Sequence, residues 1–133
     1  EVAPNQFELA PVYDMGSSLF SKRSPSVAAR RLGDEAAEHE DAFGTNISCY
    51  RLSDGEGGSS AIHPFEYMAK TANPDLTAAI ERFAAAVDMD AIDALIDSVP
   101  EEAYGIVLLS EPRRAEHKRL LRKRLEEGIL PLL

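Results

Sequence analysis

The clearest hydrophobic pattern lies in the second half of the chain, where apolar residues recur at helical spacing. The first of these helices starts at an N-cap with a following proline, Asn73-Pro74, and its apolar face carries Leu76, Ile80, Phe83 and Val87. Residues 88–99 repeat the pattern and end before Pro100, with apolar positions at Met89, Ile92, Leu95, Ile96 and Val99. These two faces predict the core of a helical hairpin. A third helix, which opens at Ser110-Glu111-Pro112 and stops at Gly128, completes a predicted helical bundle over residues 73–133.

Shorter elements are predicted ahead of this bundle. Residues 7–12 indicate a strand that leads into a turn at Asp14. Ser24-Pro25 opens a helix that Gly33 stops, and the acidic, alanine-rich residues 34–42 predict an exposed loop or short helix. Apolar residues at 47–52 and 61–62 flank a Gly/Ser-rich stretch and predict a hairpin or a flexible loop, whereas the apolar run at 104–109 leaves its element type open. The predicted fold class is therefore mainly α, a single domain over residues 1–133 with short β structure near its N-terminal half.

The charge of the chain is distributed unevenly. Residues 1–112 contain 20 acidic and 7 basic residues, a balance of −13, and residues 113–133 contain 7 basic and 3 acidic residues, a balance of +4. The acidity of the larger part argues against extended nucleic-acid binding, because phosphate contacts supply most of that affinity. The basic last helix could bind an acidic protein or nucleic acid, or it could pair with the acidic body. Internal pairing is favoured, for example with Asp88, Asp90, Asp93 or Asp97.

Other features restrict the classes of function. There is no long apolar stretch and no signal-peptide pattern, so no membrane span is predicted, and the single cysteine, Cys49, suits a reducing cytoplasm. Neither His39 nor His63 has metal-ligand spacing, so neither is predicted to bind a metal. The basic step at Lys22 and Arg23 could approach a phosphate or an acidic partner, although a solvated pair is the favoured interpretation.

The strongest candidate for chemistry is the segment Leu9-Ala10-Pro11-Val12-Tyr13-Asp14, which continues as Met15-Gly16-Ser17-Ser18-Leu19. A strand that ends in Asp14 and a Gly/Ser turn places a carboxylate beside the backbone amides around Gly16, where an anion could bind. Such a carboxylate suits Mg²⁺, which takes one or two protein carboxylates plus phosphate oxygens. Spacing alone favours a plainer interpretation, in which Asp14 accepts a hydrogen bond from the amide of Gly16 or Ser17 and the serines cap the turn.

The segment resembles the motif L-A-P-[LVI]-[YF]-D-x-[GL]-S of HipA-like serine/threonine kinases and their shorter CtkA-like relatives. A helix end at Val99-Pro100 followed by an Arg-rich helix is a second likeness. The resemblance implies that Asp14 is the metal-binding residue, in the role of the DFG Asp of protein kinases, with Gly16 and Ser17 at the nucleotide. It also implies ATP and Mg²⁺ as cofactors of the full-length parent, a protein Ser or Thr as substrate, and an antitoxin-type protein as a partner.

The resemblance further implies that this chain is the C-terminal portion of the kinase large lobe. Thirteen residues precede Asp14 and carry no pattern for the catalytic-loop Asp and Asn, and the chain has neither a G-x-G-x-x-G nor a G-x-x-x-x-G-K motif. We therefore predict no catalytic residue in this chain, no cofactor held by it alone, and a missing N-terminal kinase region that supplies both. The alternative, from another class, is a non-catalytic helical interaction module that binds an acidic protein or nucleic acid through its basic last helix.

Overall fold

The computed structural model describes residues 19–20, 23–44 and 51–133, and it is mainly helical, as predicted. The helices are α1 (Pro25–Arg31), α2 (Glu35–Phe43), α3 (Pro64–Thr71), α4 (Pro74–Ala86), α5 (Met89–Ser98) and α6 (Glu111–Lys123). The strands are β1 (Arg51–Ser53), β2 (Ser59–Ala61), β3 (Glu102–Ala103) and β4 (Ile106–Val107). After α6 the chain continues as a π-helical turn (Arg124–Ile129) and a 3₁₀ turn (Leu130–Leu132). The predicted strand at 7–12 and the Asp14 turn lie outside the described residues.

The predicted helix starts at Ser24 and Asn73 are confirmed. The Ser24 hydroxyl accepts a hydrogen bond from the Val27 amide at 3.4 Å, and Oδ1 of Asn73 accepts one from the Asp75 amide at 2.9 Å. Each cap is followed by a proline, whose missing N–H costs nothing at the first helical position. These local signals therefore fix where α1 and α4 begin.

A short helix, one of the two predicted alternatives for residues 34–42, is confirmed as α2, but it buries Asp41 and Ala42. Oδ1 of Asp34 caps it by accepting from the Ala37 amide at 3.1 Å, and a carboxylate oxygen of Glu38 accepts from the Gly33 amide at 2.7 Å. The predicted exposure is wrong at Asp41 and Ala42, one of which is charged. A hydrophobic pattern does not identify a buried helix face when one of its residues is acidic.

Both short hairpins are antiparallel ribbons. The predicted one is confirmed, with Arg51 opposite Ala61 and the glycine-rich loop between β1 and β2. The apolar run at 104–109 forms part of the second, in which Tyr104 and Gly105 connect β3 to β4 with positive φ angles of 54° and 75°. Positive φ at both central residues is the signature of a type I′ hairpin turn.

The core lies where α6 crosses α1, α2 and α5. Ala28 of α1 and Ala42 of α2 are fully buried and Leu120 of α6 is 5% exposed, so two small side chains let the helices approach α6 closely. Ile62, Ile80 and Leu109 are the other buried apolar residues in the described part of the chain. The core is consequently built around the last helix, which is also the most basic element.

The predicted packing of α4 against α5 through buried apolar stripes is wrong. Phe83 is 51% exposed and Leu95 is 68% exposed, and α5 packs on α6 instead. The physical reason is polar: Arg114 of α6 donates to the carbonyls of Ile96 and Val99 at the C-terminal end of α5. These bonds satisfy carbonyls that a helix end leaves without partners, and they hold α5 against α6.

The last helix was predicted to stop at Gly128, and this prediction is wrong. The π-helical turn passes through Gly128 and ends at Ile129. A Cβ at Gly128 would lie 2.5 Å from the ring of Phe65, so this glycine permits α3 to approach the backbone closely. Within the described residues, no helix combines the length and apolar character that a membrane crossing requires.

Candidate functional site

The predicted site residues Asp14, Gly16 and Ser17 lie outside the described residues, as do Lys22 and Cys49. Leu19 and Phe20 are the first residues that the structure describes, and Arg23 is the next. The site can therefore be built from the residues that directly follow the Asp14 segment, and these are tied firmly to the helical body.

Phe20 forms a tight turn on this body. Its φ angle is +54°, a left-handed conformation that is uncommon for a residue with a side chain. The Phe20 carbonyl accepts the Arg23 amide at 2.8 Å and a guanidinium nitrogen of Arg113 at 3.4 Å. The guanidinium carbon of Arg23 lies 4.0 Å from the centroid of the Phe20 ring, a cation–π contact. Phe20 is therefore held through both its backbone and its ring.

The Arg23 guanidinium is held in turn by two buried carboxylates. Its two terminal nitrogens donate to the two oxygens of Asp41 at 2.7 and 2.9 Å, a bidentate pair. One of them also donates to Glu116 at 2.5 Å. Asp41 is 9% exposed and Glu116 is 6% exposed. The interpretation of Arg23 as part of a solvated basic step is thus wrong, since its side chain is only 13% exposed.

Asp41 receives a second bidentate arginine. The Nε and Nη2 atoms of Arg31 donate to its two oxygens at 2.9 and 2.8 Å, and Arg124 donates to its backbone carbonyl at 3.1 Å. Burial raises the pKa of Asp41, but the hydrogen bonds and charges of Arg23 and Arg31 outweigh burial and bring that pKa below its ordinary value. The hydrogen bond to Asp41 likewise raises the pKa of Arg23. Asp41, Arg23 and Arg31 are therefore charged throughout the physiological range.

A small cavity borders this cluster. Its volume is about 20 Å³, close to the space that one water molecule needs, so it cannot hold a nucleotide or a metabolite. Oε2 of Glu116, which lines this cavity, is buried and has no hydrogen-bond partner within the described residues. The lining residues are Arg31, Leu32, Glu38, Asp41, Glu116, Arg119, Leu120 and Lys123. The cluster is consequently a structural site rather than a substrate pocket.

His117 lies beside the same turn. Its ring is hydrogen-bonded to the backbone of Leu19, and burial together with the charge of Arg113 lowers its pKa. His63 occupies a different place, where it is 8% exposed and its ring contacts those of Phe43 and Phe65 with centroids 5.8 and 4.9 Å apart. Within the described residues, no group of three or more His, Cys, Asp or Glu side chains could hold a metal ion.

The basic residues of the last helical segment are engaged within the chain. Ion pairs join Lys118 to Asp97 at 2.6 Å and Arg122 to Asp93 at 2.7 Å, which confirms the predicted pairing for these two aspartates. Asp88 instead caps α5. The other basic side chains contact carbonyl or carboxylate oxygens, namely Arg113 with Phe20, Arg114 with Ile96, Val99 and Leu109, Arg119 with Glu38, Lys123 with Glu127 and Arg124 with Asp41.

Comparison of the chain with protein-family models, with curated proteins and with solved structures gave no match. Function is therefore argued from the residues themselves. The sequence did not predict that Asp41, Glu116 and Arg31 belong to one cluster. The charged residues at 23, 31, 41 and 116 share no regular spacing that would bring them together. The available signal was the charge imbalance between residues 1–112 and 113–133, which indicates internal pairing but not these partners.

Proposed function

We propose that this chain is the C-terminal part of the large lobe of a HipA-like serine/threonine protein kinase. In that protein Asp14 is the carboxylate that binds Mg²⁺, and Gly16 and Ser17 lie beside the nucleotide phosphates. The acceptor is a Ser or Thr hydroxyl of a protein, and the setting is cytoplasmic. A DNA-binding antitoxin is a partner of the kind that the resemblance implies.

One observation carries the proposal: the Asp14 motif runs directly into a turn that is fastened to a helical body. The motif spans residues 9–19. Its last residue, Leu19, contacts His117 of α6, and the following residue, Phe20, contacts Arg113 of α6. A metal-binding carboxylate must be held at a defined place relative to the phosphates, because phosphoryl transfer relies on positioning and electrostatic stabilisation. The described residues at the end of the motif are fixed to α6, which supports the proposal.

Under this proposal, this chain and an N-terminal region would supply different parts of the kinase site. Bound Mg²⁺ would neutralise charge on the phosphates, and Asp14 is the one residue here that the resemblance assigns to it. The Gly-rich loop, the nucleotide-binding Lys and the catalytic-loop Asp and Asn would come from the N-terminal region. The helices of this chain would pack against the catalytic loop and stabilise the lobe.

The contacts of α6 disfavour the alternative, a module that binds through its basic face. A docking surface for acidic groups needs cations whose hydrogen bonds are free, yet Arg114 is 12% exposed and Lys123 is 14% exposed. Arg119 and Arg122 are more exposed but pair with Glu38 and Asp93. The charge of this helix is therefore used largely to hold the domain together.

Expression of the complete protein and of this chain alone tests the proposal. We expect the complete protein to transfer phosphate from ATP to a protein Ser or Thr in the presence of Mg²⁺. We expect the chain alone to show neither transfer nor micromolar ATP affinity in calorimetry, because it lacks the phosphate loop and the catalytic base. Transfer by the chain alone, or none by the complete protein, would contradict the proposal.

A further inference from the structure

We propose that the tip of the β3–β4 hairpin is a docking surface for a basic protein, one that offers an apolar pocket beside a Lys or Arg side chain. The hairpin tip is defined by its four large apolar residues, Tyr104, Ile106, Val107 and Leu108. All four belong to the part of the chain that the structure describes. This role goes beyond the proposed kinase activity and does not depend on it.

The hairpin tip exposes its apolar side chains together. Tyr104 is fully exposed and Ile106 is 64% exposed, while Val107 and Leu108 are 60% and 47% exposed. Single apolar residues are common on protein surfaces, whereas a contiguous exposed group marks an interaction site. Covering these side chains with a partner would remove apolar surface from water, which is the main driving force of most protein association.

The hairpin is held firmly at its base. The Arg114 guanidinium donates to the carbonyl of Val99, ahead of β3, at 2.8 Å and to the carbonyl of Leu109, after β4, at 3.4 Å. The Leu108 amide also donates to the Glu101 carbonyl at 2.8 Å. Because the two ends of the hairpin are joined in this way, its tip is ordered before a partner arrives. Docking therefore costs less conformational entropy than it would for a loose loop.

Tyr104 occupies a position that does not favour tyrosine. It is the first central residue of the type I′ turn, with a φ of 54°, and Asn, Asp or Gly is preferred there before the glycine. Its side chain is fully exposed, so packing against the described residues does not compensate for the unfavourable backbone. A partner would give the ring a contact, and tyrosine is enriched among the residues that dominate binding energy at interfaces.

The charge around the hairpin tip selects a basic partner. Residues 83–112 contain 7 acidic residues and no Lys or Arg. Glu102 lies directly opposite Val107 in the ribbon, so that a carboxylate and an apolar side chain share one face. Glu101 and Glu102 are both exposed, and neither forms an ion pair with another described residue. Their carboxylates are therefore available to a cation of the partner.

Other occupants would meet like charge at the same place. The chain has a net charge of −9, and the basic residues of α6 already pair within it, as Lys118 does with Asp97, so a second copy offers little free positive charge. Nucleic-acid phosphates and anionic lipid head groups would be repelled by Glu101 and Glu102. A basic protein matches both the apolar tip and its acidic border.

The test measures binding of a dye-labelled amphipathic peptide of leucine and lysine to the complete protein by fluorescence anisotropy. The apolar face of this peptide is bordered by ammonium groups, the chemistry proposed for the partner, and the same peptide with glutamate in place of lysine is the charge control. Tyr104→Asn removes the ring and keeps the hairpin, because Asn-Gly is a favoured type I′ pair. Leu133→Asn is the matched control, since Leu133 is 64% exposed and lies outside residues 83–112.

We expect the lysine peptide to bind and the glutamate peptide not to bind. Tyr104→Asn should raise the Kd about tenfold with the melting temperature kept, and Leu133→Asn should bind like the wild type. Glu102→Gln should weaken binding and make it less sensitive to salt, because it removes one carboxylate from the contact.

Three results of the binding assay would overturn the proposal: no binding of the lysine peptide, equal binding of both peptides, or an unchanged Kd for Tyr104→Asn. Self-association of the complete protein that Tyr104→Asn abolishes would also overturn it, because a second copy would then occupy the tip. A lower melting temperature for Tyr104→Asn would do the same, since the ring would then contribute to folding.

Discussion

The single residue on which most of the described domain depends is Asp41. It is 9% exposed, yet it accepts bidentate hydrogen bonds from both Arg23 and Arg31. Through these two arginines it joins α1, α2 and the residues before α1, and Glu116 extends the cluster to α6. Because two guanidinium groups share one carboxylate, the loss of that charge would leave Arg23 with Glu116 alone and Arg31 with the exposed Glu40.

Asp41→Asn tests this dependence. We expect it to lower the free energy of unfolding by about 3–5 kcal/mol, the usual cost of breaking a buried ion pair from one side. Asp34→Asn, on the same helix, is the control, since asparagine also caps helices well and Asp34 is exposed. Urea unfolding of both variants checks the expectation, and equal stabilities would mean that the cluster does not hold α2 in place.

Buried His63 and half-buried His117 give the domain a dependence on pH. Burial lowers the pKa of each in the folded state, and the charges of Arg124 and Arg113 respectively lower them further. The unfolded chain therefore binds protons below about pH 6.5 that the folded chain does not. We expect stability to be full above pH 6.5 and to fall as the pH drops below it, before Asp41 and Glu38, whose pKa values are below normal, begin to protonate.

Urea unfolding at pH 7.5 and pH 5.5 measures this effect. In His117→Gln the difference in unfolding free energy between the two pH values should be smaller than in the wild type. A wild-type domain as stable at pH 5.5 as at pH 7.5 would show that these imidazoles take up protons without unfolding.

Among the elements, α6 is the one that organises the others. It packs on α1, α2 and α5, and its basic residues bind carbonyls and carboxylates on α2 and α5. The π-helical turn that follows is packed against α3, where Gly128 admits the ring of Phe65. By contrast, α4 buries only Ile80 and leaves Phe83 half exposed. A helix with a clear apolar stripe can thus contribute less to the core than a basic one.

Ile80→Ala and Phe83→Ala compare the two positions on α4. We expect Ile80→Ala to cost about 2–5 kcal/mol, because Ile80 is 7% exposed and its truncation leaves a cavity. Phe83→Ala should cost clearly less, since 51% of Phe83 is already in water. Thermal unfolding of the two variants measures these costs. A larger loss of stability for Phe83→Ala than for Ile80→Ala would support the α4–α5 packing that the sequence alone predicted.

At the scale of the whole molecule, local signals were predictable and the packing was not. Caps at Ser24 and Asn73 act within a few residues, so they could be identified from sequence. The pairing of α5 with α6 depends on Arg114, whose partners lie at Ile96 and Val99, and no hydrophobic pattern encodes such a bond. The candidate site was predicted around Asp14, which lies outside the described residues, whereas the Asp41 cluster came only from the structure.

Phosphoryl transfer by the complete protein with Asp14→Asn is the most direct measurement of the proposed role. The change is nearly isosteric and removes the charge that would bind Mg²⁺, so we expect transfer to fall by orders of magnitude while the melting temperature is kept. Asp54→Asn is the matched control, because Asp54 also precedes a stretch with glycines and serines and accepts the amides of Glu56 and Gly58 at 2.9 Å, which an asparagine can still accept. Asp54→Asn should keep full activity. Full activity in a folded Asp14→Asn protein would contradict the metal role and leave Asp14 as a turn residue.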